Sequence, residues 1–173
     1  MALRWSDVDL SAATLRVAQV MEFVGPEISF KAPKTERSRR TIAMPASAVH
    51  ELKAHRKAQA EHCLKCGLGR PDLVFPRWDG KPHNPDRFGE YFKREVLAAN
   101  LPRVTFHSLR HTHITCLLRS GVPVHVVSAR AGHASPTITL TAYAHLLSGD
   151  QEAAADTMDA LLRSGANTVP TTQ

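Results

Sequence analysis

The sequence lacks any long uncharged apolar segment, and it has no positively charged start followed by an apolar stretch. A helix that spans a bilayer needs about 20 consecutive apolar residues, and a secretory signal needs the second pattern. Neither a membrane span nor a secretory signal is therefore predicted. We expect no membrane partner, and the predicted location is the cytoplasm.

Cysteine is also scarce. The chain has three cysteines, an odd number, and only Cys63 and Cys66 lie close together. Cys-x-x-Cys is the spacing of half a zinc knuckle, but no second pair follows, and Cys116 lies in an apolar run. We interpret the pair as a helix end with two thiols in a reducing compartment. The sequence predicts no disulfide framework, no metal site and no cofactor.

Positive charge, by contrast, is abundant. Lysine and arginine total 22 against 16 acidic residues, which gives a net charge of +6 in a chain of 173 residues. This balance favours a polyanionic partner without proving one. The charge is concentrated within ten residues, where only Glu36 opposes it. The members of this basic cluster are Lys31, Lys34, Arg37, Arg39 and Arg40. We expect this cluster to contact phosphates.

The length and the 43% hydrophobic composition fit one domain with a real core. Alternating residues predict strands at 14–20, 27–32 and 40–44, with a basic loop at 33–39. Apolar spacing and capping residues predict helices at 45–65, 87–99, 122–130, 136–143 and 150–163, besides a central helix that ends at 119–121. The predicted fold class is α+β, mainly helical, with a small three-stranded antiparallel sheet near the N-terminus. Residues 1–163 form the predicted domain, and 164–173 a disordered tail.

Two helices have predicted buried faces. On the 87–99 helix this face comprises Phe88, Tyr91, Phe92, Val96 and Leu97. On the central helix the apolar half comprises Phe106, Leu109, His113, Ile114, Leu117 and Leu118.

Arg110 falls in the middle of the central helix's apolar half. A guanidinium does not lose its proton, so Arg110 must meet an anion there, either a buried carboxylate or a phosphate from outside. His107, one turn earlier, points to nearly the same side. Downstream, His133 follows a glycine and Tyr143 stands between small residues, which adds a proton carrier and a candidate hydroxyl nucleophile. We expect Arg110, His107 and His133 to converge on one concave basic site.

The ordered contexts HSLRHTH, AGHAS and TAYAHL resemble the catalytic domain of the tyrosine recombinases, the phage integrase family. The similarity runs from Ala2 to about Leu162. It implies an integrase-like catalytic core that cuts and rejoins double-stranded DNA through a 3′-phosphotyrosine. Taken singly, His107 is more simply a core histidine, His133 a helix-end histidine and Tyr143 a packing tyrosine. The order of His107, Arg110, His133 and Tyr143 along the chain favours the catalytic interpretation.

The resemblance also implies a role for each site residue. Tyr143 is the nucleophile, Arg110 holds phosphate oxygens, His107 is the general base and His133 donates to the phosphate. Lys34, in the predicted hairpin tip, is the general acid, with Lys31 as the alternative. We expect this tip to be mobile without DNA. The intact parent is expected to act as a tetramer on DNA, and this chain to be a monomer or weak oligomer.

The sequence departs from the family pattern at its start. The family has a first catalytic arginine on a helix before the Leu-Arg-Trp-Ser-Asp segment, and Arg4 does not match that position. The N-terminal clamp domain is not present either. We therefore expect a catalytic fragment or truncated gene product with impaired cleavage. The alternative is a DNA-binding remnant of an integrase without catalysis.

Overall fold

A computed structural model describes residues 2–24, 27–33, 38–144 and 150–163. The chain begins with a single 3₁₀ turn, Trp5–Asp7, and continues into short strands. These strands are β1 (Val8–Asp9), β2 (Thr14–Val17), β3 (Val20–Val24), β4 (Glu27–Lys31) and β5 (Arg40–Ala43). The helices are α1 (Ala46–Lys65), α2 (Pro85–Ala98), α3 (Phe106–Arg119), α4 (Val124–Ala131), α5 (Pro136–Tyr143) and α6 (Asp150–Arg163). The predicted α+β class, mainly helical with a small antiparallel sheet near the N-terminus, is confirmed.

The strand pairing differs from the prediction. The three-stranded sheet has the order β1-β2-β5, while β3 and β4 form a separate two-stranded hairpin. The predicted strand 14–20 breaks at Ala18 and Gln19, so the chain leaves the first sheet there and starts the second. Strand β4 therefore pairs with β3 and not with β5. As a result β5 lies antiparallel to β2, with Leu15 opposite Ile42, and extends Arg40 toward the helical part of the molecule.

Local capping fixes the starts of α3 and α5, two helices that position the site. The Thr105 side chain accepts from the Ser108 backbone N–H at 3.1 Å, and Ser108 Oγ accepts from the Thr105 N–H at 2.7 Å. This reciprocal capping box starts α3. Helix α5 starts on Ser135, whose hydroxyl accepts from the Thr137 N–H at 3.1 Å, with Pro136 as the first helical residue.

The core cluster lies where α3, α4 and α5 meet. It consists of Ile114, Leu118, Val127, Ala131 and Tyr143, with Leu117, Val122 and Val124 packed against it. The predicted α3 face is only half right, because Phe106 is 53% and Leu109 45% exposed. The buried part of α3 is its C-terminal half, next to α4.

The predicted inner face of α2 is right for Phe88, Phe92 and Val96 and wrong for Tyr91 and Leu97. Val96 is buried, but Tyr91 is 44% and Leu97 64% exposed. Phe88 and Phe92 meet the Phe106 ring edge-on, with centroids 5.2 and 5.5 Å away. Helical periodicity predicts that a face is apolar, but it does not show whether the rest of the chain covers that face.

The 3₁₀ turn is fixed against α1. Trp5 Nε1 donates to Gln59 Oε1 at 2.7 Å, and Gln59 Nε2 donates to the Leu73 carbonyl at 3.1 Å. Arg4 Nε lies 3.1 Å from the buried carboxylate of Asp7. Arg4 thus has a local structural partner. No helix in the described ranges has the length and apolar character to cross a bilayer.

Candidate active site

The C-terminus of α4 holds two guanidinium groups from other elements. Arg40 Nε, from β5, donates to the Arg130 carbonyl at 3.0 Å, and Arg110 Nη2, from α3, donates to the Ala131 carbonyl at 2.6 Å. The last carbonyls of a helix have no partner within the helix, and the helix dipole places partial negative charge there. Two cations from distant parts of the chain therefore meet at this end of α4.

Gly132 ends α4 in the left-handed conformation, with φ of 73°. Its N–H donates to the Ser128 and Ala129 carbonyls, and the His133 N–H also donates to Ser128. A Cβ at this glycine would lie only 2.6 Å from Cζ of Arg40. The Gly-His pair therefore has a physical reason beyond turn formation, because the guanidinium packs directly over the backbone of residue 132.

The two guanidinium groups repel each other. Burial lowers the pKa of Arg40, and the charge of Arg110 lowers it further. Within the described residues neither arginine pairs with a carboxylate, since the acceptors of Arg110 and Arg40 are backbone carbonyls. Of the two anions predicted for Arg110, a buried carboxylate is not found beside it within the described residues. An anion from outside would relieve the repulsion.

His133 lies beside these cations. Its Nδ1 is 2.7 Å from Oγ1 of Thr139, a fully buried residue on α5. Burial lowers the pKa of His133, and the charges of Arg110, Arg40 and His111 lower it further, in that order. The Thr139 contact fixes the ring orientation and leaves Nε2 available to a ligand.

Tyr143 contributes both to the core and to the site. The residue is only 4% exposed, and burial raises the pKa of its phenol, while the charge of Arg110 acts in the opposite direction. Its hydroxyl is hydrogen-bonded to Nδ1 of His111 on α3. The hydroxyl therefore lies within the electrostatic range of Arg110 and in contact with an imidazole.

His111 is a site residue that the sequence analysis missed. It stacks edge-on with His107, with ring centroids 4.8 Å apart, and its ring also lies beside Tyr143. His107 and His111 are four residues apart, which is the spacing of neighbours on one helical face. That spacing is visible in the sequence. His107 reaches the predicted site through His111.

Arg130 joins the three elements around the site. Its Nε donates to His113 Nε2 on α3 at 3.0 Å, and its Nη1 donates to the Ala43 carbonyl on β5 at 2.9 Å. Burial lowers the pKa of His113, and Arg130 lowers it further. These contacts hold α3, α4 and β5 together.

The members of the basic cluster have different surroundings. Lys31 Nζ lies 2.7 Å from the Glu22 carboxylate, Arg39 is exposed, and Arg40 is half-buried at the end of α4. Lys34 and Arg37 lie outside the described residues, so the roles assigned to them stay predictions. An open groove runs beside Arg39, Arg40 and His133. The structure thus places Arg40 inside the candidate site and Arg39 on its rim.

A mainly helical domain that gathers two arginines, three histidines and a tyrosine at one place has the residue types of an anion-binding site with a nucleophile. The sequence matches the phage integrase family over residues 1–149, and the chain belongs to that family. A tyrosine recombinase XerC-like protein of Caldanaerobacter subterraneus subsp. tengcongensis is 30% identical, over 93% of this chain and 45% of the relative. The ICEBs1 integrase of Bacillus subtilis is 26% identical, over 94% of this chain and 44% of the relative. The chain therefore spans about half the length of these curated relatives.

Solved structures show the same fold. The Tn1549 transposon integrase, in complex with transposon right end DNA, superposes with a TM-score of 0.71 at 23% identity, over 92% of this chain and 52% of that one. The XerA recombinase gives a TM-score of 0.61 at 20% identity, over 93% of this chain and 50% of that one. The integrase-like architecture predicted from the sequence is confirmed.

Proposed function

We propose that this chain is the catalytic part of a site-specific DNA recombinase that breaks and rejoins strands through a 3′-phosphotyrosine. The observation that carries this proposal is the pair of guanidinium groups of Arg110 and Arg40, held side by side next to His133 and within electrostatic range of the Tyr143 hydroxyl. The phenolic oxygen attacks phosphorus, the 5′ oxygen leaves with a proton, and the phosphodiester is restored when a 5′ hydroxyl attacks the phosphotyrosine.

Charge stabilisation is the main contribution of the arginines. Negative charge builds up on the non-bridging oxygens as the tyrosine attacks, and fixed donors stabilise it without reorganising. Arg110 and Arg40 are held by the α4 carbonyls, so their positions are set before the phosphate arrives. Removal of one such donor typically costs on the order of 10²–10³ in rate.

His133 acts as a third donor. When the Thr139 hydroxyl donates to Nδ1, the proton of the neutral ring is on Nε2, which is free to donate to a phosphate oxygen. The pKa of His133 is lowered by burial and by its cationic neighbours. A bound phosphate would oppose the effect of those neighbours.

The remaining assignments follow from the family. Lys34 protonates the leaving oxygen, with Lys31 as the alternative, and double-stranded DNA is the substrate. The net charge of +6 and the DNA in the complex of the similar Tn1549 integrase support this partner. Assembly as a tetramer on DNA belongs to the intact recombinase.

A second function is favoured by one observation. Tyr143 is 4% exposed, and burial raises the pKa of its phenol, both of which oppose attack from the described conformation. A chain fixed in this conformation would bind DNA through the basic groove without cutting it.

Covalent capture separates the two functions. The chain is incubated with nicked suicide duplexes of randomised sequence, denatured with detergent, and examined for a protein–DNA adduct. Tyr143→Phe is the test variant, and Tyr91→Phe, which removes the other tyrosine, is the matched control. We expect an adduct from the unmodified chain and from Tyr91→Phe but not from Tyr143→Phe. Binding without any adduct favours the second function, and an adduct from Tyr143→Phe excludes Tyr143 as the nucleophile.

A further inference from the structure

We infer that His111, and not His107, takes the hydroxyl proton of Tyr143 when the tyrosine attacks phosphate. This inference rests on the proposed function and gives a role to a residue for which the family resemblance implies none. The observation is direct, because His111 Nδ1 is hydrogen-bonded to the Tyr143 hydroxyl.

The environment of Tyr143 sets the direction of this hydrogen bond. The residue is 4% exposed and belongs to the core cluster of α3, α4 and α5. Within the part of the chain that the structure describes, His111 Nδ1 is the one hydrogen-bond partner of the hydroxyl. If the ring donated, the buried O–H would have no acceptor among the described residues, which is costly. The hydroxyl is therefore the donor, and Nδ1 accepts through its lone pair.

The other histidines of the site are engaged elsewhere. His107 contacts the ring of His111 edge-on, with centroids 4.8 Å apart, and has no described contact with the phenol. His133 Nδ1 is occupied by Thr139. A general base must lie within hydrogen-bond reach of the proton it removes, and His111 alone among the described histidines meets this condition.

The charges around His111 suit a transient proton transfer. The groups that face it are His107 on α3, His133 before α5 and the phenol itself, and the charge of Arg110 acts on both His133 and the phenol. In the reaction the tyrosine O–H bond breaks, the proton moves to Nδ1, and the oxygen electron pair forms the bond to phosphorus as the 5′ oxygen leaves. The phosphate neutralises the cations that would otherwise oppose a positive His111.

Nitrogen-15 NMR on histidine-labelled protein tests the proton transfer without DNA. The chain has two tyrosines, so in a Tyr91→Phe background Tyr143 is the one phenol. Biosynthetic replacement with increasingly fluorinated tyrosines makes this phenol more acidic and drives its proton toward the acceptor. Resonances are assigned with single His→Gln variants, and the Tyr91→Phe, Tyr143→Phe double variant supplies the baseline.

The expected result has two parts. In the unfluorinated protein, neutral His111 has its proton on Nε2 and a bare Nδ1. On fluorination, Nδ1 of His111 becomes protonated, while His107 and His133 keep their resonances. A proton already on Nδ1 before fluorination, a proton that appears on His107 or His133 instead, or no response from any ring overturns the inference.

Adduct formation gives an independent kinetic test. His111→Asn retains a hydrogen-bond acceptor near the Nδ1 position but cannot take up a proton, and His107→Asn is the matched change one turn earlier. We expect His111→Asn to slow adduct formation by about 10²-fold or more, which is typical of a lost general base, and His107→Asn to slow it less. An unimpaired His111→Asn overturns the inference. If the unmodified chain forms no adduct, the proposed function fails, while the NMR result still decides the proton acceptor.

Discussion

Gly132 has a φ of 73° and lies under the guanidinium of Arg40, so two independent requirements exclude a side chain there. The first is conformational, because a Cβ in the left-handed region costs roughly 1–2 kcal/mol. The second is steric, because a Cβ would displace the guanidinium of Arg40. Arg40 is a candidate phosphate-binding residue, so this displacement would also affect the site. Gly121 has the first requirement alone, with φ of 76° and open space around it.

We expect Gly132→Ala to lower the free energy of unfolding by more than Gly121→Ala does. Both variants have the same backbone strain, but only Gly132→Ala also pushes Arg40 away. The charge of Arg40 lowers the pKa of His133. Displacement of Arg40 should therefore raise the pKa of His133, whereas Gly121→Ala should leave it unchanged. Urea unfolding and NMR titration of His133 measure the two effects. Equal losses of stability with an unmoved His133 pKa would show that the guanidinium adapts to the added methyl group.

At the scale of single residues, the sequence predicted the groups with distinctive chemistry and missed those defined by their neighbours. Arg110, His133 and Tyr143 were found because an arginine on an apolar face, a Gly-His pair and the ordered motifs are visible in the linear chain. Thr139 could not be found, because its importance is a contact with His133 that only the α4–α5 geometry creates.

Arg40 was predicted as a general DNA contact, and its position beside Arg110 was not anticipated. The two residues are 70 positions apart, and the prediction placed Arg40 in the hairpin formed by the strands 27–32 and 40–44. The actual pairing of β5 with β2 turns its first residue toward α4.

At the scale of elements, the helix boundaries were predicted well because their signals are local. Pro45 comes directly before α1, and Gly121 lies two residues after the end of α3. Strand partners are not local, and an alternating pattern does not say which strand lies alongside. The interruption at Ala18 and Gln19 has no turn signal of the Gly or Pro type, so one predicted strand became two.

The contact between α3 and α4 predicts how stability depends on pH. His113 Nε2 accepts from Arg130, so the ring must be neutral to keep this hydrogen bond, and the pKa of His113 is lowered by burial and by Arg130. An unfolded histidine titrates near ~6.5. Below that pH, His113 is protonated in the unfolded chain but stays neutral in the folded chain. The free energy of unfolding therefore falls as the pH falls toward the folded pKa. The contribution is fully present above the unfolded pKa. His133, with its lowered pKa, acts in the same direction.

We therefore expect urea unfolding to give a lower free energy at about pH 5.5 than at about pH 7.5. His113→Gln keeps an acceptor for Arg130 but does not titrate, so this variant should show a smaller difference between the two pH values. His125→Gln is a control, since His125 has no described contact with Arg130. A pH difference that His113→Gln leaves intact would mean that other groups cause it.

At the scale of the whole molecule, DNA binding could depend on the net charge of +6 or on the positions of particular cations, and the two cases predict different effects of removing one arginine. A general attraction to DNA depends on total charge, so any arginine would contribute alike. A built phosphate site depends on particular arginines, and those near α4 would dominate. Each phosphate that a protein neutralises changes the slope of log affinity against log salt by about 0.9. The salt dependence of binding therefore distinguishes the two cases.

We expect the chain to bind duplex DNA weakly and with little sequence preference, at micromolar or higher dissociation constants, on the order of 10⁻⁶–10⁻⁴ M at physiological salt. Arg110→Gln and Arg40→Gln should each weaken binding and reduce the salt slope by about 1. Arg77→Gln removes the same charge from an arginine that is already paired with Asp79, at 3.2 Å, and should change the slope much less. Fluorescence anisotropy of a labelled duplex over a series of salt concentrations measures the affinity and the salt slope of each variant.

If Arg110→Gln, Arg40→Gln and Arg77→Gln reduce the slope equally, net charge alone drives binding, and the guanidinium pair at the end of α4 is not the principal DNA contact. Arg39 lies on the exposed rim of the groove. If Arg39→Gln reduces the salt slope more than Arg40→Gln does, the groove beside the site holds the DNA backbone more strongly than the site itself does.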